Sequence, residues 1–284
     1  MPSTIDIRRR IRSVKNTQQI TKAMKVVSAA KLRRSQERMQ AARPYAAMLR
    51  KVLSSLSTRI DAEAHPLLQS REEKNVLLLV ITADKGLCGA FNTNIIKAAT
   101  IAIRDHSWTS VELLPIGKKA VDYFKRRPIP LRHQATNIYQ TLSPADARAI
   151  AEMFTEDFVS GRYDAVYVAY NEFKSVMQQN IRVEKLLPLE RVEEENEASI
   201  EYLFEPSAEK ILSDLLPRHI EFQLYRMLLE SIAAEHGARM TAMEAASRNA
   251  SEMIDALTLS YNRIRQAAIT KEIIEIVSGA QAAG

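Results

Sequence analysis

The sequence predicts an α/β protein in which the N- and C-terminal helices form a long antiparallel coiled coil flanking a central α/β (Rossmann-like) domain. Three observations predict it. Both ends of the 284-residue chain step their small and apolar residues by alternating fours and threes, the seam of paired helices. The first glycine is Gly86, which argues against a loop-rich or all-β start. Between the ends, short apolar runs alternate with helical stretches, and eleven of the seventeen aromatic residues fall within 75–190, so the compact core is central.

The N-terminal segment, residues 1–60, opens with Ser3 and Asp6 at capping-box spacing. Its seam is Ile7, Ile11, Val14, Gln18, Thr21, Lys25, Ser28, Leu32, Ser35, Met39, Ala42, Ala46, Leu49, Leu53 and Leu56. The seam is apolar at both ends and small or polar in the middle. Ile20, Met24 and Val27 form an adjacent stripe, which predicts a second contact face there. The pattern continues beyond Pro44, which predicts a kink rather than a stop. At 1.5 Å per residue the helix would be roughly 80 Å long.

The C-terminal segment, residues 207–284, begins with Ser207 as a cap and Glu209 in the first turn. Pro217 predicts an early break or kink. From there Leu229, Ala233, His236, Met240, Met243, Ser247, Ala250, Ile254, Leu257, Tyr261, Ile264 and Ala268 keep the same stepping, and Gly279 with the final AQAAG marks fraying. Seams rich in Ala, Ser, Met and Thr let two backbones approach closely and keep the pair slim.

The central segment, residues 75–190, reads as strands at 75–82, 109–116 and 164–170, with helices at about 92–105, 118–126 and 144–160. Ser143-Pro144-Ala145-Asp146 is a strong helix start. Residues 59–74 and 190–206 are the joints.

Charge is distributed unevenly. The net charge is +6, but residues 1–60 carry fifteen Lys or Arg against only Asp6 and Glu37, while residues 190–201 carry six Glu. The basic limb implies an anionic partner: nucleic acid, acidic lipid or an acidic protein loop. A basic coiled-coil nucleic-acid-binding or scaffold protein is therefore one reading. Against it, the heptads run through the basic residues, whereas a basic-region helix keeps the two apart, and stacking aromatics are missing from this limb. The single cysteine, Cys88, excludes an internal disulfide and suits a reducing compartment. No run of about eighteen apolar residues occurs, and no secretory leader is recognisable, so the chain is expected to work in a bacterial-type cytoplasm.

Catalytic motifs are weak. TADKGLCGAFN (82–92) lies between a strand and a helix, where phosphate loops sit, but it lacks both G-K-[ST] and GxGxxG. It reads as a tight turn using Gly86 and Gly89 for positive φ, with Cys88 as a small buried residue. The five histidines show no metal-ligand spacing, and His236 falls on the seam as a packed polar residue. No nucleophile, base and orienter assemble. A chain that performs no catalysis and holds no cofactor or metal is expected.

The ends are specific. IRRRIRSVKNTQQITKAMKVVSAAKLRRSQ (7–36) and SYNRIRQAAITKEIIEIVSGAQA (260–282) closely resemble the terminal signatures of the gamma subunit of F-type ATP synthases. DKGLCGAFN and the YLFEP that begins at Tyr202 are similar to that family as well. The resemblance implies a central rotor shaft, its coiled coil inside a ring of three alpha and three beta subunits and its α/β domain near the epsilon subunit and the c-ring. It implies attachment to the cytoplasmic face of the bacterial plasma membrane through partners only, without nucleic acid. It also implies beta-subunit contacts at Lys22, Met24, Lys25, Arg265, Gln266, Thr270 and Glu272, and a rotor-ring contact at Tyr202.

Overall fold

The computed structural model describes residues 3–57, 65–176, 178–189 and 207–282. Helix α1 spans Thr4–Ser57, followed by strand β1 (Asn75–Ile81), α2 (Phe91–Asp105), β2 (Ser110–Ile116) and α3 (Lys118–Phe124). Then come α4 (Pro144–Val159), β3 (Ala165–Phe173), β4 (Gln179–Leu187) and α5 (Ala208–Ala282). By contacts the chain divides into two compact units, Met1–Ser28 with Met240–Gly284, and Ala29–Arg239. The sheet thus shares its unit with the inner part of α1 and the first turns of α5.

In the first unit the two terminal helices pair in opposite directions. Arg8 donates from Nη2 to Tyr261 Oη at 2.6 Å, the Thr21 and Ser247 hydroxyls meet at 2.6 Å, and Lys25 reaches Glu244 at 2.9 Å. An advance from 8 to 25 on one helix is matched by an equal retreat from 261 to 244 on the other, which fixes the antiparallel register. Every α1 seam position from Ile7 to Leu56 is buried or half-buried, including Gln18 and Lys25. The α5 seam behaves alike from Leu229 to Ile264, and Ala268 is exposed. Among the described residues nothing covers the adjacent stripe: Ile20 and Val27 are 60% and 55% exposed, with Met24 half-buried.

Capping follows the sequence. The Ser3 and Asp6 side chains take each other's backbone N–H at 3.2 Å, and Ser143 with Asp146 forms the same reciprocal box at α4. The Ser207 hydroxyl accepts from Lys210 N at 3.3 Å. Of the break or kink expected at Pro217, the break does not occur, since α5 runs through it. Proline frees the carbonyl four residues earlier, on Ser213, an exposed residue where water can serve it. Gly279 likewise lies inside the helix.

In the second unit a four-stranded sheet has the order β2-β1-β3-β4, with the first three parallel and β4 antiparallel at the edge. β1 alternates its buried side chains between two layers. Leu77, Leu79 and Ile81 join Phe154 and Phe158 of α4, Leu53 and Leu56 of α1, and Leu224 and Leu228 of α5. Leu78 and Val80 join Ile95 and Ala99 of α2 and Phe124 of α3. β4 is the element that the pattern of apolar runs misses. Ile181, Arg182 and Lys185 are exposed, and Arg182 pairs with Glu172 at 3.1 Å, so this edge strand carries charge and offers no continuous apolar run.

Gly117 is required by its surroundings. It sits at φ +94, and a Cβ there would lie 1.9 Å from the Thr82 carbonyl oxygen. Gly86 is different: its φ is not positive, and a Cβ would meet only Lys119 Cε at 3.9 Å. The positive-φ residues of the 82–90 turn are Leu87 and Gly89, which corrects the expectation for Gly86. Gly117→Ala should lower unfolding stability by about 2 kcal/mol or more in urea titration, whereas Gly86→Ala should change it by less than about 0.5 kcal/mol.

Candidate partner-binding site

The sheet reverses its winding between β1 and β3, the place where open α/β sheets bind nucleotides. Here the crevice is filled. Ala234 of α5 packs with Ala83, Cys88 and Phe91 of the turn after β1, with Phe173 and Ala238 against them. Gly237 brings α5 close to the β3–β4 hairpin, where a Cβ would meet Gln179 Nε2 at 3.4 Å. The turn's own polar atoms serve the protein: Thr82 Oγ1 accepts from Ala120 N at 2.9 Å and Asp84 Oδ1 from Lys118 N at 3.0 Å, so the start of α3 is already capped.

A polar clamp joins α5 to this turn. Arg239 donates from Nη2 to the Gly86 carbonyl at 3.1 Å and makes a close ion pair with Glu235, whose side chain is 4% exposed. Burial, then the Glu235 charge, raises the Cys88 thiol, so the cysteine is a packed and unreactive residue. The only sequence signal for the clamp is a Glu–Arg pair at i, i+4.

The remaining candidate residues lie on the terminal helices. Lys22 is exposed, Met24 half-buried, and Lys25 is half-buried with its ammonium on Glu244. The Lys25 bond holds the Glu244 carboxyl below its ordinary value, and the Arg8 bond does the same for the Tyr261 hydroxyl. Arg265, Gln266, Thr270 and Glu272 are all exposed, and Thr270 donates back to the Gln266 carbonyl at 2.9 Å. From 265 to 278 every residue of α5 is exposed, because the α1 partner begins only at Thr4. Ile269, Ile273, Ile274, Ile276 and Val277 are each at least 47% exposed. At roughly 100° per residue, four of these, Ile269, Ile273, Ile276 and Val277, share an arc of about 120° with Gln266 and Thr270, while Lys271 and Glu275 pair on the opposite side. Tyr202 lies outside the described residues.

A family model described as ATP synthase matches residues 3–283. The ATP synthase gamma chain of Solibacter usitatus is 54% identical, over 100% of both chains. This chain belongs to the ATP synthase gamma-chain family. The gamma chain of Pelotomaculum thermopropionicum is 51% identical over 99% of each chain. Among solved structures, the central stalk and c-ring of the Tetrahymena thermophila mitochondrial ATP synthase is similar at 29% identity and TM-score 0.62, covering 80% of this chain and 99% of that one. The rotor of the Euglena gracilis mitochondrial ATP synthase shares the fold at 20% identity and TM-score 0.70, covering 94% and 98%.

Within this gamma-family chain the clamp makes a direct prediction. Arg239→Met leaves the Glu235 carboxylate buried and unpaired, and should cost about 3–5 kcal/mol of stability. Adding Glu235→Gln should recover a large part of that loss in a double-mutant cycle measured by chemical unfolding.

Proposed function

We infer that the chain is the central rotor shaft of an F-type ATP synthase, turning with the membrane c-ring inside three alpha and three beta subunits and contacting epsilon. Catalysis then resides in the partner subunits, and the chain transmits rotation between them and the ring. The observation that carries this reading is the end of α5. It is helical to Ala282, yet its last turns expose an isoleucine-rich face that finds no cover among the described residues. Such a face calls for an external sleeve.

The basic limb fits the same role. Its cations project from a helix already paired along its seam, so they can attract acidic loops of a surrounding ring without interlocking. A nucleic-acid reading is less well supported, because pairing continues to Ile7 and leaves no unpaired basic region. Within the described residues no helix is long and apolar enough to cross a membrane, which agrees with attachment at the cytoplasmic face of the bacterial plasma membrane through partners. Arg265, Gln266, Thr270 and Glu272 would grip a beta-subunit loop, Lys22, Met24 and Lys25 would face an acidic beta segment, and Tyr202 would approach the ring.

The test is the double substitution Arg265→Ala with Gln266→Ala in the reconstituted complex. Coupled ATP synthesis or assembly should fall several-fold, while the far-UV spectrum and unfolding midpoint of the purified chain stay unchanged. Undiminished synthesis would contradict the assignment of these residues.

A further inference from the structure

Lys31, Arg34, Ser35 and Arg38 lie three, four and seven residues apart on one face of α1, and together they line a cavity of about 110 Å³. Leu229, Ile232 and His236 of α5 and Tyr139 close it from the other side. We propose that this cavity is a binding site for a small tetrahedral oxyanion such as inorganic phosphate.

Charge is the first argument. Among the described residues none of the three cations has a carboxylate partner, although Arg33 beside them pairs with Glu37 at 3.0 Å. Three like charges converging on one cavity repel each other until an anion enters. Arg38 is already anchored at the cavity wall. It donates from Nη1 to the Leu142 carbonyl at 3.3 Å, which fixes the guanidinium and leaves its other N–H donors available. The Ser35 hydroxyl donates to the Lys31 carbonyl at 3.1 Å, so the cations rather than the hydroxyl would hold the ligand.

The surroundings favour a charged guest. Leu229 and Ile232 are 1% and 5% exposed and make an apolar floor, where attraction between opposite charges exceeds its value in water. His236 is 8% exposed, and its Nδ1 lies 2.7 Å from Glu235 Oε2 without forming a hydrogen bond. Of the carboxylates that act on the cavity wall, Glu235 is paired with Arg239, and Asp84, on the Tyr139 side, accepts from Lys118 N and Asn137 N. Size sets the ligand class. The cavity is small, with room for a cluster of waters or one small tetrahedral anion.

The inference is independent of the rotary reading and is tested on the purified full chain. Thermal unfolding is followed against inorganic phosphate, with sodium chloride at matched ionic strength as control. Phosphate and sulfate should each raise Tm saturably beyond chloride. Lys31→Gln with Arg34→Gln, both exposed positions, should weaken phosphate binding by about tenfold or more without altering the spectrum of the folded chain. Amide shifts in labelled wild-type protein provide a second readout and should centre on Ser35, Tyr139 and His236. A phosphate effect no larger than that of chloride, an effect undiminished in the double variant, or shifts centred elsewhere would overturn the proposal.

Discussion

Where the seam between α1 and α5 turns small or polar, from Gln18 to Ser28, large interlocking side chains cannot dictate register, so some other interaction must. In the first unit that interaction is a buried hydroxyl pair. Thr21 donates to the Gln18 carbonyl at 3.0 Å and then accepts from Ser247, so one shared proton network fixes the alignment. A net contribution of about 1 kcal/mol is modest, but a slip by one residue would bury both hydroxyls without partners and forfeit more. Arg8 with Tyr261 and Lys25 with Glu244 repeat the same alignment at the rim, where solvent screens them and their effect is on specificity rather than stability.

The same economy of side-chain size explains how an α/β domain with a nucleotide-type strand order carries no open crevice. Ala234, Gly237 and Ala238 give α5 a surface smooth enough to lie in the switch point. Glu235 and Arg239 from that helix then tie it to the turn after β1. A small stripe supplies proximity and a buried ion pair supplies direction. For a gamma-family chain this is where force applied to α5 would pass into the sheet.

Much of this is legible in the sequence, because a period is a geometric statement. The steps of four and three from Ile7 to Leu56 identify the inward face of α1 even at Gln18 and Lys25, whose chemistry argues against burial. Ser143 with Asp146 marks the start of α4 because capping is local. What is not legible depends on distant partners. Gly117 is indispensable only because Thr82 comes close, and nothing near position 117 reveals that. Ile20 and Val27 have the spacing of a contact stripe, and among the described residues nothing covers it, so what it would contact cannot be read from the pattern alone. Local rules make Pro217 a breaker, and they do not register that Ser213 faces water. The beta-subunit contacts proposed at 265–272 come from family resemblance; the helix displays those residues on its exposed tip.

The antiparallel register of the paired terminal helices is open to direct measurement by cross-linking. In a Cys88→Ala background, Thr21→Cys with Ser247→Cys should form an intramolecular disulfide in high yield under mild oxidation, because the native hydroxyls stand 2.6 Å apart. Thr21→Cys with Tyr261→Cys should stay reduced. Equal yields from the two pairs, or disulfides that appear only between separate molecules, would contradict the pairing on which the account is built.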